Sequence, residues 1–258
     1  MPPADDGDGP GQTRRGLDRD RHLVGLIVPS SNPTVERVAH HVCSAAWSGL
    51  DIIATRVKVR AVAPGAGVEG QFDSANMAAA ARLLVDSDPE LVIWAGTSGL
   101  WRGVEREAAE LEALSAQHGR RVTSTSQGIV GALHEIGQEE VSVFTPYVAP
   151  IHRRVVSSVT DAGYRVVTDH GLGETDNLAF SRIAPEVIGP WVDRLSGGGN
   201  RPVLVVCTNL LAALPGTPTL DSVIATFWHA ARLTGANELS YQATYEAVVT
   251  MLYERGAC

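Results

Sequence analysis

Leu91-Val92-Ile93-Trp94-Ala95-Gly96-Thr97-Ser98-Gly99 is an apolar run that ends abruptly in small and polar residues. A buried parallel strand has this pattern where it opens into a polar loop at its carboxyl end. A second stretch of the same shape, Val203-Leu204-Val205-Val206-Cys207-Thr208-Asn209, comes much later in the chain. We predict that the two strand ends face each other across one active site, in which Cys207 has no cysteine opposite it.

Strand and helix patterns alternate outward from these two stretches along the whole chain. Short apolar runs at 23–28, 51–59, 91–94 and 121–123 alternate with helical segments, and the pattern restarts near Val141 with runs at 141–144, 164–168 and 203–206. Such alternation predicts an α/β fold with parallel sheets covered on both faces. We therefore expect two pseudo-symmetric lobes, each a parallel sheet of about four strands flanked by helices. The active site is expected in the cleft between them, at the carboxyl ends of the strands.

The restart divides the chain into three predicted segments. Residues 1–20 are rich in Asp, Gly, Pro and Arg and have almost no apolar side chains, which predicts a disordered tail. Residues 21–137 form the first predicted lobe and residues 138–258 the second, with C-terminal helices that can pack back on the first lobe. The length supports this division, because 258 residues suffice for two lobes of roughly 110–120 residues.

Charge and composition exclude several classes of partner. The net charge is −8 and the basic residues are scattered, so we expect no nucleic-acid partner. No apolar run approaches the roughly 18–20 residues of a membrane helix, so no membrane partner is expected. The three cysteines, Cys43, Cys207 and Cys258, do not form a disulfide framework, and no signal peptide is recognisable. We expect a cytoplasmic protein.

Cofactor and metal motifs are weak or missing in the sequence. The segment Gly65–Gly70 matches G-x-G-x-x-G, but the acidic residue that a dinucleotide site needs after the next strand is replaced by Gly96-Thr97. We interpret the segment as a glycine loop, which in this position can act as a lid over the cleft. The histidines are dispersed and no cysteine pair has metal spacing, so neither a metal nor a cofactor is expected.

Cys207 is the candidate with the clearest chemistry. A thiol at a strand end beside Thr208 and Asn209 lies among donors that stabilise a thiolate, so it can act as a nucleophile or as an acid toward carbon. The alternative is a buried core cysteine. Hydroxyl donors at other predicted strand ends, together with backbone N–H groups beside Gly96 and Gly99, can cradle a carboxylate or an enolate; these hydroxyls belong to Thr97, Ser98 and Tyr147.

These residues resemble two groups of one enzyme superfamily. Four motifs are similar to those of maleate cis-trans isomerases: Gly25-Leu26-Ile27-Val28-Pro29-Ser30-Ser31-Asn32, Tyr147, Asp176-Asn177-Leu178-Ala179 and Cys207-Thr208-Asn209. The turn Gly96-Thr97-Ser98 followed by Arg102-Gly103 is similar to that of arylmalonate decarboxylase. Both groups belong to the aspartate/glutamate racemase superfamily, and the resemblance covers nearly all of residues 22–235.

The resemblance implies cofactor-independent chemistry next to a carboxylate, on a small carboxylate or dicarboxylate substrate. Racemases of this superfamily use two cysteines on opposite faces of the substrate carbon, and maleate isomerases use two, one of which adds to the double bond. In arylmalonate decarboxylase the first cysteine position is glycine, and the remaining cysteine protonates the enediolate left by CO2. Residues matching Asn32, Tyr147 and Asn177 hold substrate carboxylates, and homo-oligomers are usual.

This chain has Gly96 at the first position and Cys207 at the second. Our first hypothesis is therefore a decarboxylase of a substituted malonate-like acid, in which Thr97, Ser98 and Tyr147 hold the carboxylate and Cys207 delivers the proton. The substrate-binding set would be Ser31, Asn32, Gly96, Asn177, Thr208 and Asn209.

Two other hypotheses stay open beside the decarboxylase. Asn32 and Thr208-Asn209 are isomerase-like departures from the decarboxylase pattern, so a maleate isomerase or racemase is the alternative. A non-catalytic carboxylate-binding protein is the third hypothesis. Trp94 and Trp101 bracket the Gly96 loop, where they can line an apolar pocket or simply pack.

Overall fold

The computed structural model describes residues 21–65, 70–216 and 219–254. They contain two four-stranded parallel sheets. The first consists of β1 (His22–Pro29), β2 (Leu50–Val57), β3 (Leu91–Trp94) and β4 (Arg121–Ser124), in the order β2-β1-β3-β4. The second consists of β5 (Glu140–Tyr147), β6 (Arg165–Glu174), β7 (Val203–Val205) and β8 (Thr219–Asp221), in the order β6-β5-β7-β8. The identical order confirms the predicted α/β fold with two pseudo-symmetric lobes.

Helices connect the strands and cover the sheets. In the first lobe they are α1 (Thr34–Ser44), α2 (Ser74–Val85), α3 (Gly99–Arg102), α4 (Val104–His118) and α5 (Thr125–Ile136). In the second they are α6 (Ala149–Asp161), α7 (Asn177–Phe180), α8 (Pro185–Ser196), α9 (Ser222–Thr234) and α10 (Tyr241–Glu254). Side-chain caps start several of them, because a side-chain oxygen satisfies N–H groups that the first turn leaves unpaired. Asp221, for example, accepts hydrogen bonds from the N–H groups of Val223 and Ile224 at the start of α9.

The central strands explain why the sequence contains continuous apolar runs. Every residue of β3 is buried, as is every residue of β7, since each lies inside its sheet with helices on both faces. The edge strand β6 instead alternates between exposed and partly buried residues over much of its length. All strands within each sheet are parallel. Strand β3 therefore ends at the same edge of its sheet as β1, and β7 ends at the same edge as β5.

Several sets of contacts join the lobes. Helices α5 and α9 pack together, with Thr125 Oγ1 and Thr226 Oγ1 2.6 Å apart. The segment after β2 also crosses to the end of β6. There the Val62 N–H donates to the Thr175 oxygen (2.8 Å), and the Asn177 N–H donates to the Arg60 oxygen (3.0 Å). These backbone contacts hold the segment that carries Asn177 against the first lobe.

The observed elements show features that the apolar runs do not reveal. Strand β8 was not predicted, because its three residues are too few to show a period. Helices α3 and α4 are separated at Gly103, whose φ of 118° is incompatible with a continuous helix.

Some predictions concern residues beyond this description. The predicted tail 1–20 lies outside the described residues, as do residues 66–69 of the Gly65–Gly70 loop. The division between residues 137 and 138 stays a prediction. Among the described residues, no helix combines the length and apolar character needed to cross a membrane.

Candidate active site

The cleft between the lobes is built from the loops that follow β1, β3, β5 and β7. One hydrogen bond crosses it directly, between Thr97 Oγ1 after β3 and the Tyr147 hydroxyl at the end of β5, at 3.0 Å. A second crossing links Thr208 after β7 with the first lobe, where its hydroxyl donates to the Ala95 oxygen at 2.9 Å. The residues that follow β3 and β7 therefore do meet across the cleft.

Cys207 lies at the centre of this place and is almost completely buried. Burial and, to a smaller extent, the nearby Asp221 carboxyl raise the pKa of its thiol to about 12. Hydrogen bonds from the Asn209 N–H and the Tyr147 hydroxyl oppose the rise without cancelling it. At neutral pH the group is consequently a thiol that carries its proton, and the same donors stand ready to stabilise the thiolate once that proton has left.

Tyr147 connects the thiol with the first lobe. Its ring packs edge-to-face on Phe180 at 5.5 Å between centroids, and its hydroxyl reaches both Thr97 and Cys207. Burial and the neighbouring Cys207 raise the pKa of the phenol well above its usual value, although the Thr97 hydrogen bond lowers it. The phenol is therefore a neutral donor at physiological pH.

Asn32 occupies the first-lobe side of the cleft and is fully buried. Its side-chain oxygen accepts the N–H groups of Thr34 (2.9 Å) and Val35 (3.2 Å) at the start of α1. Its amide nitrogen donates to Thr208 Oγ1 at 3.1 Å. An amide nitrogen carries two hydrogens, so Asn32 retains one donor for a ligand, whereas the single Thr208 proton already goes to Ala95.

Asn209 and Ser31 were predicted to bind substrate, but the structure occupies their polar atoms internally. The Asn209 amide donates to the backbone oxygens of Ser31 and Asn177, and its side-chain oxygen accepts the Thr34 hydroxyl at 3.0 Å. Ser31 donates to the Val59 oxygen at 2.6 Å. Both residues thus connect neighbouring loops through hydrogen bonds within the protein. Asn177 donates one amide hydrogen to Ser31 Oγ at 2.8 Å and keeps the other.

Ser98 likewise has other partners than predicted. Its hydroxyl accepts a hydrogen bond from Trp94 Nε1 (3.0 Å) and donates to Glu107 Oε1 (3.2 Å), all within the first lobe. The proton that was expected on a substrate carboxylate is therefore committed to Glu107. Of the three hydroxyls predicted to hold the carboxylate, the structure brings Thr97 and Tyr147 together beside Cys207 and directs Ser98 elsewhere.

The two glycines of the Gly96–Gly99 loop are both required by close contacts. A Cβ atom on Gly96 would lie 2.4 Å from the indole ring of Trp94, and one on Gly99 would lie 2.2 Å from Glu107 Oε2. The Trp94 ring therefore fills the space into which a side chain at position 96 would project. Trp94 and Trp101 both pack on Phe72, at 6.1 and 5.3 Å between centroids, so they belong to the core behind the loop.

Comparison with known proteins places the chain in a family. The model of the family described as arylmalonate decarboxylase matches residues 24–245. The chain belongs to the arylmalonate decarboxylase family. Among curated relatives, the maleate isomerase of Nocardia farcinica is 24% identical over 208 residues, covering 77% of this chain and 80% of that protein. The maleate isomerase of Alcaligenes faecalis is 28% identical over 116 residues, covering 42% of this chain, and the match spans only 46% of that relative.

Solved structures of both kinds share the fold of this arylmalonate decarboxylase family member. A Nocardia farcinica maleate cis-trans isomerase mutant with a covalently bound succinylcysteine intermediate superimposes with a TM-score of 0.72 at 21% identity, covering 83% of this chain and 93% of that one. A double mutant of arylmalonate decarboxylase in a liganded form also gives 0.72, at 22% identity, covering 85% of this chain and 97% of that one. Membership of the family therefore does not distinguish decarboxylation from cis-trans isomerisation.

Glu107 is a polar residue of this region that we did not predict. Its side chain is buried and accepts hydrogen bonds from Ser98 and Ser124 (3.2 and 2.7 Å). A signal existed, because Glu107 falls four and seven residues before the buried Leu111 and Leu114, on one face of α4. Among the described residues, no group of three or more His, Cys, Asp or Glu side chains forms a candidate metal site.

The contact between Gly96 and Trp94 can be tested by substitution. We expect Gly96→Ala to lower the free energy of unfolding by about 1–3 kcal/mol, since a methyl group cannot enter a packed interior without displacing the indole. Urea unfolding measures the change. Gly131→Ala is the matched control, because its Cβ would meet the Trp228 ring at an ordinary 3.5 Å. Because Gly131 lies inside α5, its alanine variant should be slightly more stable than the wild type. A Gly96→Ala variant as stable as the wild type would show that the space beside Gly96 is open.

Proposed function

We propose that this member of the arylmalonate decarboxylase family is a cofactor-independent decarboxylase of a substituted malonate-like acid. The observation that carries the proposal is the asymmetry of the cleft. One thiol, Cys207, holds its proton at neutral pH, and the equivalent position in the first lobe is Gly96 with the Trp94 ring packed against it. A single proton donor on one face is what protonation of a planar enediolate requires.

The reaction would proceed in two steps, decarboxylation followed by protonation of the α-carbon. Cleavage of the bond between the α-carbon and one carboxylate releases CO2 and leaves its electron pair in an enediolate. The α-carbon then takes the proton of the Cys207 thiol, which gives the monocarboxylate product and a thiolate. The Asn209 N–H stabilises that thiolate until it takes a proton from water.

Neutral donors around the thiol suit the carboxylate that becomes the enediolate. Thr97 and Tyr147 already meet at 3.0 Å, and Asn32 and Asn177 each keep one amide hydrogen after their contacts within the protein. Each such donor, when aimed at the developing charge, contributes on the order of 3–4 kcal/mol.

The second candidate is a maleate isomerase. Relatives named maleate isomerase and the amides of Asn32 and Asn177, which suit a second carboxylate, favour it. Cys207 would then add to the double bond as a thiolate. Burial makes that thiolate scarce at neutral pH, which is why we rank the decarboxylase first. A carboxylate-binding protein without turnover is the remaining alternative, and a homo-oligomeric state stays a prediction.

Replacement of Cys207 tests its role as proton donor. We expect Cys207→Ser to lower the turnover of a phenyl-substituted malonate by about 10²–10⁴-fold, the usual contribution of a general acid. The fold should be retained, because the exchange is nearly isosteric. Release of CO2 is the measurement, and Cys43→Ser on α1 is the matched control, expected to leave turnover unchanged. Full activity of Cys207→Ser would show that Cys207 is not the proton donor.

The pH dependence separates the two candidate reactions. Cys207 has its pKa raised to about 12 and Tyr147 has its pKa raised well above 10, so both keep their protons between pH 7 and pH 10. We therefore expect kcat for decarboxylation to stay constant over that range, measured under substrate saturation. If the thiolate were the active form, as in addition to maleate, the rate would instead rise about tenfold per pH unit.

A further inference from the structure

Glu107 lies directly beneath the loop that carries Thr97. It belongs to the first turn of α4, is only 3% exposed, and within the described part of the chain pairs with no lysine or arginine. The nearby Arg102 directs both terminal nitrogens to Glu110, each at 3.0 Å. A carboxyl group buried without a cation is costly, so its neutral partners must account for its presence.

The partners of Glu107 come from the loop and from the end of the neighbouring strand. Ser98 donates to Oε1 at 3.2 Å, Ser124 at the end of β4 donates to Oε2 at 2.7 Å, and the Gly99 N–H and the Ser126 hydroxyl also face the carboxyl. Gly99 lacks the Cβ that would collide with Oε2, which lets the backbone approach so closely. One carboxyl group therefore connects the loop after β3 with β4.

The direction of each of these hydrogen bonds follows from the N–H group that already donates to the serine oxygen. Trp94 Nε1 donates to Ser98 Oγ, and the Gln127 N–H donates to Ser124 Oγ. Each serine accepts one hydrogen bond from behind and points its own proton at Glu107. The network therefore suits an acceptor on both carboxyl oxygens, and an amide in place of either oxygen would present a hydrogen to one of the hydroxyls.

Thr97 lies between the two anchored parts of the loop. Gly96 on one side is packed against Trp94, while Ser98 and Gly99 on the other side are held by Glu107. The Thr97 hydroxyl between them meets Tyr147 across the cleft at 3.0 Å. Catalytic groups must be held to within about 0.5 Å of their productive geometry. The position of Thr97 hence depends on Glu107, although the two side chains share no hydrogen bond.

We infer that Glu107 is a positioning residue, which holds the Gly96–Gly99 loop so that Thr97 is aligned with Tyr147 for the substrate carboxylate. The inference rests on the proposed function, because it assigns Thr97 to the carboxylate. Glu107 does not touch the substrate. It acts through Ser98 and the Gly99 N–H, which explains why Ser98 is needed beside the cleft even though its proton is directed away from it.

The test compares Glu107→Gln with Glu105→Gln, an exposed residue in the same turn of α4. We expect Glu107→Gln to lower kcat for a phenyl-substituted malonate by about 10²-fold, the effect of misplacing a catalytic group by an ångström. KM should change less than about 3-fold and Glu105→Gln should change neither. Amide hydrogen exchange should become faster in residues 95–103 of the Glu107 variant and stay unchanged elsewhere.

Hydrogen exchange keeps this test separate from the proposed reaction. If wild-type protein turns over no malonate, the proposed function fails, while faster exchange confined to the loop would still support the positioning role. Wild-type kcat together with wild-type exchange in Glu107→Gln would overturn it. So would exchange that increases throughout the first lobe, since that marks a general structural role.

A second variant covers the case in which Glu107→Gln does not fold. Ser98→Ala removes the side-chain link between the loop and the carboxyl and leaves that of the Gly99 N–H, so it should lower kcat in the same direction with faster exchange in the same residues. Where both variants fold, the double variant should be no worse than Glu107→Gln alone, because the two residues act through one contact. Additive losses, or an unaffected Ser98→Ala, would contradict the inference.

Discussion

The indole of Trp94 packs against the α-carbon of Gly96, and the chemistry of the cleft depends on that contact. The fold presents two equivalent strand ends to the cleft, after β3 and after β7. A side chain at the first of them would overlap the indole, whereas the second carries Cys207. A symmetric scaffold thereby holds an asymmetric cleft, with a thiol on one side and an aromatic ring behind bare backbone on the other. The proposed decarboxylation needs one acid and is consistent with this asymmetry.

A buried carboxyl group lies behind each of the two strand-end loops. Glu107 accepts hydrogen bonds from the first loop, and Asp221 accepts the Ala212 N–H (2.7 Å) from the second while it caps α9. Burial raises the pKa of both, that of Asp221 to about 6. Asp221 also raises the pKa of Cys207, so the group that orders the second loop helps to keep the thiol protonated. In each lobe the cost of burying an acid is offset by several N–H or O–H donors that would otherwise lack partners.

Periodicity and turn chemistry predicted the fold class and the meeting of Thr97, Tyr147 and Cys207, because the carboxyl ends of parallel strands must lie at one edge of a sheet. Hydrogen-bond partners could not be predicted in the same way. Ser98 follows Thr97 directly, but its hydroxyl donates to Glu107. The polar atoms of the Asn209 amide all form hydrogen bonds with neighbouring loops. A side chain's type and position in a loop indicate what it can bind, whereas its direction depends on packing between distant segments. For the same reason Glu107 was overlooked, since its partners lie on other elements.

In the proposed reaction, one thiol protonates one face of an enediolate after CO2 has left. Incubation of the wild-type protein in heavy water with 2-methyl-2-phenylmalonate and, separately, with maleate tests it most directly, with proton NMR of the products and detection of CO2. We expect CO2 release from the malonate and a monocarboxylate that carries one deuterium at the α-carbon of a single enantiomer, with maleate unchanged. Formation of fumarate from maleate without CO2 release, or a racemic monocarboxylate, would contradict it.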